Sequence, residues 1–373
     1  MKIDVITTKK EFEAIKEKWD ALLANSSGSI FQTWEWQWVW WKHYAKDKKL
    51  FILVATEKDL IGIAPFYLSR SYYGLPIKVL SFLGTGPSDY GDFIVLPGKE
   101  EKFIKGLFKY LSTTNVDWDI VDLQQLLEDS PCINPLRASI KEGGLNGLEL
   151  FQESSFALLL PSSRDELMGT LSKKFRYNLN YYPRRLFKQY KVDSYNLNDR
   201  ADDITFGMNL FFDLHQKRWQ KKKLPGLFWN KRYRDFHSDI AALFHKKGWL
   251  ALYFLKLDDE MAASLYGFKY NNCFYYYLSG FDPRWERFSV GTFIVSEAIR
   301  DSITKKLSCF DFLRGTEEYK LKWGAASHSN MRFLLCKKDG YLKGAPLLSR
   351  PIMQFLSYET KFARKAKERL RRL

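Results

Sequence analysis

Asp282-Pro-Arg-Trp-Glu-Arg-Phe-Ser-Val-Gly-Thr292 joins an apolar run that ends at Ser279 to a run with helical spacing, Gly291–Lys305. This reads as strand, polar loop, helix. The first turn of a helix has N–H groups without internal partners, and the helix dipole is positive there. With Arg284, Arg287, Ser289 and Gly291 beside it, that end is a candidate anion site. Gly291 allows a ligand to approach the backbone, and Ser289 or Thr292 can donate a hydroxyl. An ordinary capped helix is the alternative. The loop is neither Gly-x-Gly-x-x-Gly nor a Walker loop.

About 20 residues on comes Phe310-Asp-Phe-Leu-Arg-Gly-Thr-Glu-Glu-Tyr-Lys-Leu-Lys-Trp-Gly324. A strand turns at Gly315 into a polar and aromatic segment. Glu317, Glu318, Tyr319, Lys320 and Trp323 therefore leave a strand end near the anion loop, where α/β sheets place their sites.

Working outward, Leu50–Thr56 and Leu60–Leu68 form a strand pair around Glu57-Lys-Asp59. About 200 residues later, Trp249–Lys256 and Ala262–Tyr270 do the same around Asp258-Asp-Glu260. Both read apolar strand, charged turn, small-residue strand, which suggests two copies of one α/β domain. Helices are predicted over Lys9–Ala24, Lys99–Ser112, Lys173–Tyr190, Asp202–Lys221 and Arg232–Lys247, with Pro183 kinking or interrupting the third. The tryptophans at 34, 36, 38, 40 and 41 cannot share one helical face, so some are expected to line a groove or a domain contact.

The 373 residues suit about two domains, and 46% hydrophobic residues suffice for sizeable cores. The net charge is +16, distributed unevenly. Residues 1–160 hold 18 basic and 21 acidic residues, and residues 161–373 hold 41 and 22. The second half therefore points to an anionic partner, a phosphate-rich cofactor, a nucleic acid or an anionic membrane, with a soluble basic surface that has no partner as the alternative. Cys132, Cys273, Cys309 and Cys336 stand far apart, and the five histidines lack metal-ligand spacing, so no metal is expected. No apolar run is long enough to span a membrane and the start does not read as a secretory signal, so a cytoplasmic protein is expected, with a peripheral place at the inner membrane face the alternative. Residues 347–373 read as a basic amphipathic helix, suited to an anionic membrane or to packing as a solvated tail.

The order strand, Ser-x-Gly-Thr loop, helix, then Phe-Asp-Phe-x-x-Gly-x-x-x-Tyr-Lys-x-x-Trp resembles the GNAT-superfamily acyltransferases of the CelD type. These are associated with cellulose or exopolysaccharide biosynthesis and are distantly similar to the Fem aminoacyltransferases. Phe31-Gln-Thr-Trp34, Asp89-Tyr-Gly-Asp92 and Ser172-Lys-Lys-Phe-Arg-Tyr-Asn178 add to the match. The resemblance implies an α/β (α+β) fold of tandem GNAT-like domains, each a mixed, largely antiparallel sheet flanked by helices. The expected domains are 1–160, the acceptor side with a degenerate site, and 161–346, the donor-binding and catalytic side.

The resemblance further implies acetyl-CoA or another acyl-CoA as co-substrate and no metal. Its pyrophosphate would lie at Val290, Gly291 and Thr292, helped by Arg287 and Ser289, and its pantetheine along Tyr277, Leu278 and Ser279. The loop departs from the usual GNAT pattern in having only Gly291. Transfer in this superfamily is usually direct, so candidate roles follow from proton transfer. Tyr319 is the candidate acid, Asp282 and Glu318 are rival bases, and Lys320 is a candidate oxyanion partner. Trp34, Asp89, Tyr90, Asp92, Arg176 and Trp323 are candidate acceptor contacts. The bland alternatives are a packed tyrosine, turn-forming aspartates and a solvated helix face. The expected function is N-acyl transfer to an amino sugar or similar amine, carried on a small molecule, a lipid or a nucleotide. The alternatives are a Fem-like enzyme drawing its acyl group from tRNA and a non-catalytic binding protein on the same scaffold.

Overall fold

Two hairpins organise the protein, seen in a computed structural model that describes residues 1–337 except 115, 143–144 and 201–202. The chain forms two compact units, Met1–Glu153 with the return of the chain from Ser329, and Ser154–His328. The sequence places the break at 160/161 and residues 329–346 with the second domain, whereas the compact units divide at 153/154 and the chain from Ser329 goes with the first. The difference lies in two strands with little local signature, β7 and β13 below.

The first unit runs β1 (Lys2–Ile6), α1 (Lys9–Ala14), α2 (Lys16–Ala24), α3 (Trp34–Tyr44), β2 (Lys48–Thr56), β3 (Leu60–Ser69), β4 (Val79–Phe82), β5 (Ile94–Val95), α4 (Glu100–Thr113), β6 (Ile120–Leu127), α5 (Ile133–Glu142) and the start of β7 (Leu145–Leu159). The predicted Lys9–Ala24 helix is two helices meeting at Ile15. Phe103, Ile104, Leu107, Phe108 and Leu111 form the buried face of α4, and each is worth about 2 kcal/mol of transfer free energy. α3 is buried on several sides. Trp36 and Trp40 sit in the core, while Trp38 stacks on Trp34.

The second unit takes the end of β7, then α6 (Arg164–Thr170), α7 (Lys173–Gln189), β8 (Val192–Asn196), α8 (Ile204–Gln220), α9 (Lys231–Lys246), β9 (Leu250–Leu257), β10 (Glu260–Tyr270), β11 (Cys273–Phe281), α10 (Val290–Thr304), β12 (Cys309–Arg314) and α11 (Glu318–Lys322). From there β13 (Ala326–Lys337) returns to pair with β6, Phe333 opposite Leu123. α7 continues through Pro183.

The strand orders are β1-β2-β3-β4-β6-β13 and β8-β9-β10-β11-β12-β7. Both are antiparallel except at one parallel pair, β4 with β6 and β11 with β12. In each, the crossover between the parallel strands carries a helix, α4 or α10. The two units therefore repeat one plan, a mixed and mostly antiparallel sheet flanked by helices. Gly280 brings β11 against α8, since a Cβ there would lie 2.2 Å from the backbone nitrogen of His215. Among the described residues no helix is long and apolar enough to cross a membrane. The predicted helix at 347–373 lies outside the described residues.

Candidate active site

A cavity of about 870 Å³ lies in the second unit, walled by α7, α10, α11, β8 and β11. Six cations line it, Arg164, Lys174, Arg184, Arg218, Arg300 and Lys322, against one carboxylate, Glu297. Glu297 is ion-paired to Arg300, and burial pushes its carboxyl above the usual range. The surplus of positive charge suits an anionic ligand.

The N-terminus of α10 opens into this cavity through Ser289, Gly291 and Thr292. Ser289 is left-handed (φ 54°, ψ 39°) and turns the chain between the 3-10 segment Pro283–Phe288 and α10. Its side chain caps nothing. The first bond of the helical ladder runs from the Phe293 N–H to the Ser289 carbonyl, so the N–H groups of Val290, Gly291 and Thr292 precede it. A Cβ on Gly291 would meet only Phe281, at 3.7 Å, so nothing inside the protein demands glycine there.

β11 and β12 are registered as a parallel pair only over Cys273–Tyr275 and Cys309–Asp311. β11 stays paired with β10 as far as Phe281, whereas the β12–β7 register breaks after Asp311 and Leu313 is left-handed (φ 59°). The strands therefore part, and the β12-facing edge of β11 beyond Tyr275 is open to a ligand's backbone-like groups.

A chain of hydroxyls lies on this edge. Tyr319 is hydrogen-bonded to Tyr276, Tyr276 donates to Ser279 Oγ at 2.6 Å, and Arg218 Nη1 donates to the same Oγ at 3.2 Å. All four residues line the cavity. Burial holds the Tyr319 hydroxyl well above its ordinary pKa, reinforced by Tyr276 and Glu317, so it keeps its proton. Trp323 also lines the cavity, edge-on to Phe175 at 5.0 Å.

Other candidates sit elsewhere. Asp282 caps the 3-10 segment, accepts from the Arg284 backbone and side chain, and pairs with Lys217 at 3.1 Å. Despite its burial these partners hold its carboxyl down at about 2, which makes it a brace for the loop and a poor base. Lys320 is buried and donates to the carbonyls of Leu313, Arg314 and Gly315, closing the turn after β12. Glu318 and Arg287 are exposed and outside the cavity lining, with Arg287 over the Phe288 ring. Tyr277 shares a hydrogen bond with Tyr233, and neither its side chain nor that of Leu278 lines the cavity. Arg176 is also outside the lining, although Lys174, Phe175 and Asn178 beside it belong to it.

Trp34, Asp89, Tyr90 and Asp92 belong to the first unit, whereas every cavity-lining residue belongs to the second. Trp34 donates to the Phe12 carbonyl. The backbone carbonyls of Asp89 and Tyr90 accept from Asn330 and Gln32. Asp92 accepts from the Phe93 N–H, and burial raises its carboxyl to about 6. In the repeated plan α4 takes the position of α10, but its first turn carries Glu100 and Glu101. Those carboxylates repel an anion from the equivalent helix end.

Sequence reasoning missed Arg218 and Tyr276. Tyr276 was hidden in an all-aromatic strand, and Arg218 sat on a helix read for its apolar residues. The basic run of α7 was the signal for one wall of the cavity.

Residues 173–321, less than half of the chain, match the protein family described as Acetyltransferase (GNAT) domain. No sequence relative matches among curated proteins. Among solved structures, FemX matches with a TM-score of 0.66 at 11% identity, over 89% of this chain and 97% of that one. A conserved protein of unknown function from Bacteroides thetaiotaomicron VPI-5482 matches at 0.57 and 13%, over 90% and 100%. L-PGS from Bacillus licheniformis matches at 0.51 and 12%, over 93% and 95%. At these identities the likeness is one of fold. The GNAT match covers α7 to α11, which together carry most of the cavity wall, and makes the second unit an acyltransferase domain.

Proposed function

We propose that the second unit takes an acyl group, acetyl in the first instance, from acyl-CoA and transfers it to an amine. The acceptor class that fits is an amino sugar or related amine of cell-surface polysaccharide synthesis. The observation that carries this reading is the convergence, in one cationic cavity, of the open N-terminus of α10 with a protonated tyrosine, Tyr319.

In this reading the CoA diphosphate takes the N–H groups of Val290, Gly291 and Thr292 with the Ser289 and Thr292 hydroxyls. The cations lining the cavity balance its charge. The pantetheine runs along the open edge of β11 beyond Tyr275. The acceptor amine attacks the thioester carbon. A C–N bond forms, the C–S bond breaks, and Tyr319 protonates the leaving thiolate. The ammonium proton of the acceptor leaves to water, and Tyr319 is reprotonated through Tyr276 and Ser279. Asp282 and Lys320 brace the loops that present these groups.

Calorimetric titration with acetyl-CoA tests the donor. Saturable binding, lost in Gly291→Glu, supports the reading. A second reading, transfer from an aminoacyl-tRNA, draws on the likeness in fold to FemX and on the cationic cavity. Titration with bulk tRNA separates the two. Salt-sensitive tRNA binding without CoA binding favours the second. Binding of neither favours a non-catalytic scaffold.

A further inference from the structure

The outward side of α7 carries Lys173, Lys174, Tyr177, Asn180, Tyr181, Arg184, Phe187 and Lys188, spaced three and four apart and all exposed. Tyr177 and Phe187 are each 62% exposed. The helix has six basic residues and no acidic one, and none of the six forms an ion pair among the described residues. A helix of 17 residues is about 25 Å long at ~1.5 Å per residue. Its inner side is different, with Leu179 and Leu186 buried and Phe175, Asn178, Tyr182 and Pro183 facing the cavity.

We infer that this face of α7 docks the protein on an anionic lipid surface. Charge supplies the attraction, since unpaired bases stand at both ends of the stripe. The aromatic rings supply the choice of partner. Tyr177 and Tyr181 stack on each other at 5.4 Å and 16°, and the Arg185 guanidinium lies 5.6 Å over Tyr181. Nucleobase binding needs free ring faces. Here Tyr177 and Tyr181 already occupy one face of each other and Arg185 lies over Tyr181, and exposed tyrosines among basic residues suit a headgroup layer. Phe187 adds an apolar contact among the bases, the composition of an interfacial helix. Lys174, Asn180, Arg184 and Phe187 also line the cavity, so the docking face borders its mouth. An acceptor held in the membrane reaches the cavity without leaving the surface. The inference does not depend on the acyl-transfer reading, because docking is measured without substrate.

The test is sedimentation of the full chain with vesicles of phosphatidylcholine alone and of phosphatidylcholine with phosphatidylglycerol. Two paired variants avoid the cavity lining, Lys173→Glu with Lys188→Glu and Tyr177→Ser with Tyr181→Ser. The wild type is expected to prefer the anionic vesicles. Each pair is expected to lose at least about tenfold of that binding with an unchanged thermal midpoint. Equal binding to both vesicle types overturns the inference. So does wild-type binding by both variants, or binding lost only when residues 358–373 are removed. Variants that keep vesicle binding and lose bulk tRNA binding assign the face to nucleic acid instead.

Discussion

Tyr276 and Ser279 lie three residues apart on β11, yet their side chains meet at 2.6 Å on one side of the sheet. In a regular strand, residues at odd separation point to opposite faces. The pairing with β10 explains the meeting. Gly267 faces Tyr276 and Tyr266 faces Leu278, so Tyr277 is an inserted residue. This bulge shifts the alternation by one. Ser279 thereby joins Tyr276 at the cavity, and Tyr277 turns to Tyr233.

The bulge depends on Gly267, where a Cβ would lie 2.5 Å from the Tyr275 carbonyl oxygen. Gly267→Ala is expected to cost about 1–3 kcal/mol, measured by urea unfolding. It is also expected to lower acyl transfer more than Gly291→Ala does. Wild-type stability in Gly267→Ala removes the steric argument.

Tyr319→Phe keeps the ring packing and removes the proton donor. Turnover is expected to fall about 100-fold, with little change in acceptor KM. Tyr276→Phe, which breaks the hydroxyl chain one step back, is expected to cost less. Release of CoA thiol checks both. Unchanged turnover in Tyr319→Phe removes the acid assignment.

At Gly291, alanine has space beside Phe281 and glutamate does not suit an anion site. Gly291→Ala is expected to keep acetyl-CoA affinity within a few-fold. Gly291→Glu is expected to lose about 100-fold with an unchanged thermal midpoint. Retained affinity in Gly291→Glu places the donor elsewhere.

Asp282, held at about 2, adds stability above its ordinary value near 4 that is lost as pH falls towards 2. Asp282→Asn is expected to cost about 1–2 kcal/mol at neutral pH and to leave the pH profile of turnover unmoved. An altered acid limb of that profile makes Asp282 a base after all.

His215 is buried, accepts from Trp219 Nε1–H at 3.0 Å, and is pushed down to about 3 by burial and by Arg218. The unfolded chain takes up a proton below about 6.5 and the native site does not. Stability therefore falls with acidification, by about 1.4 kcal/mol per pH unit from this one group. His215→Phe is expected to flatten the slope of unfolding free energy between pH 6 and pH 4. An unchanged slope counts against a neutral native His215.

The sequence by itself determined the repeated hairpin, the strand–loop–helix at Asp282–Thr292 and the basic character of α7. Each depends on residues within a turn or a strand of one another, where periodicity and capping act. Gly291 and Tyr319 were legible as candidates for the same reason, since each lies in the first turn of a helix reached from a strand through a short loop. Tertiary structure alone decided that Asp282 braces a loop, because Lys217 reaches it from α8. It also decided that Lys320 is buried on three carbonyls, and that β13 returns to β6 across more than 200 residues. The cavity is the clearest case. Arg164 and Lys322 share its lining from distant parts of the chain, and Arg218 finds Ser279 only because a bulge reverses one strand's alternation. Pairing register and bulges are set by packing between segments, and one-dimensional patterns do not carry that information.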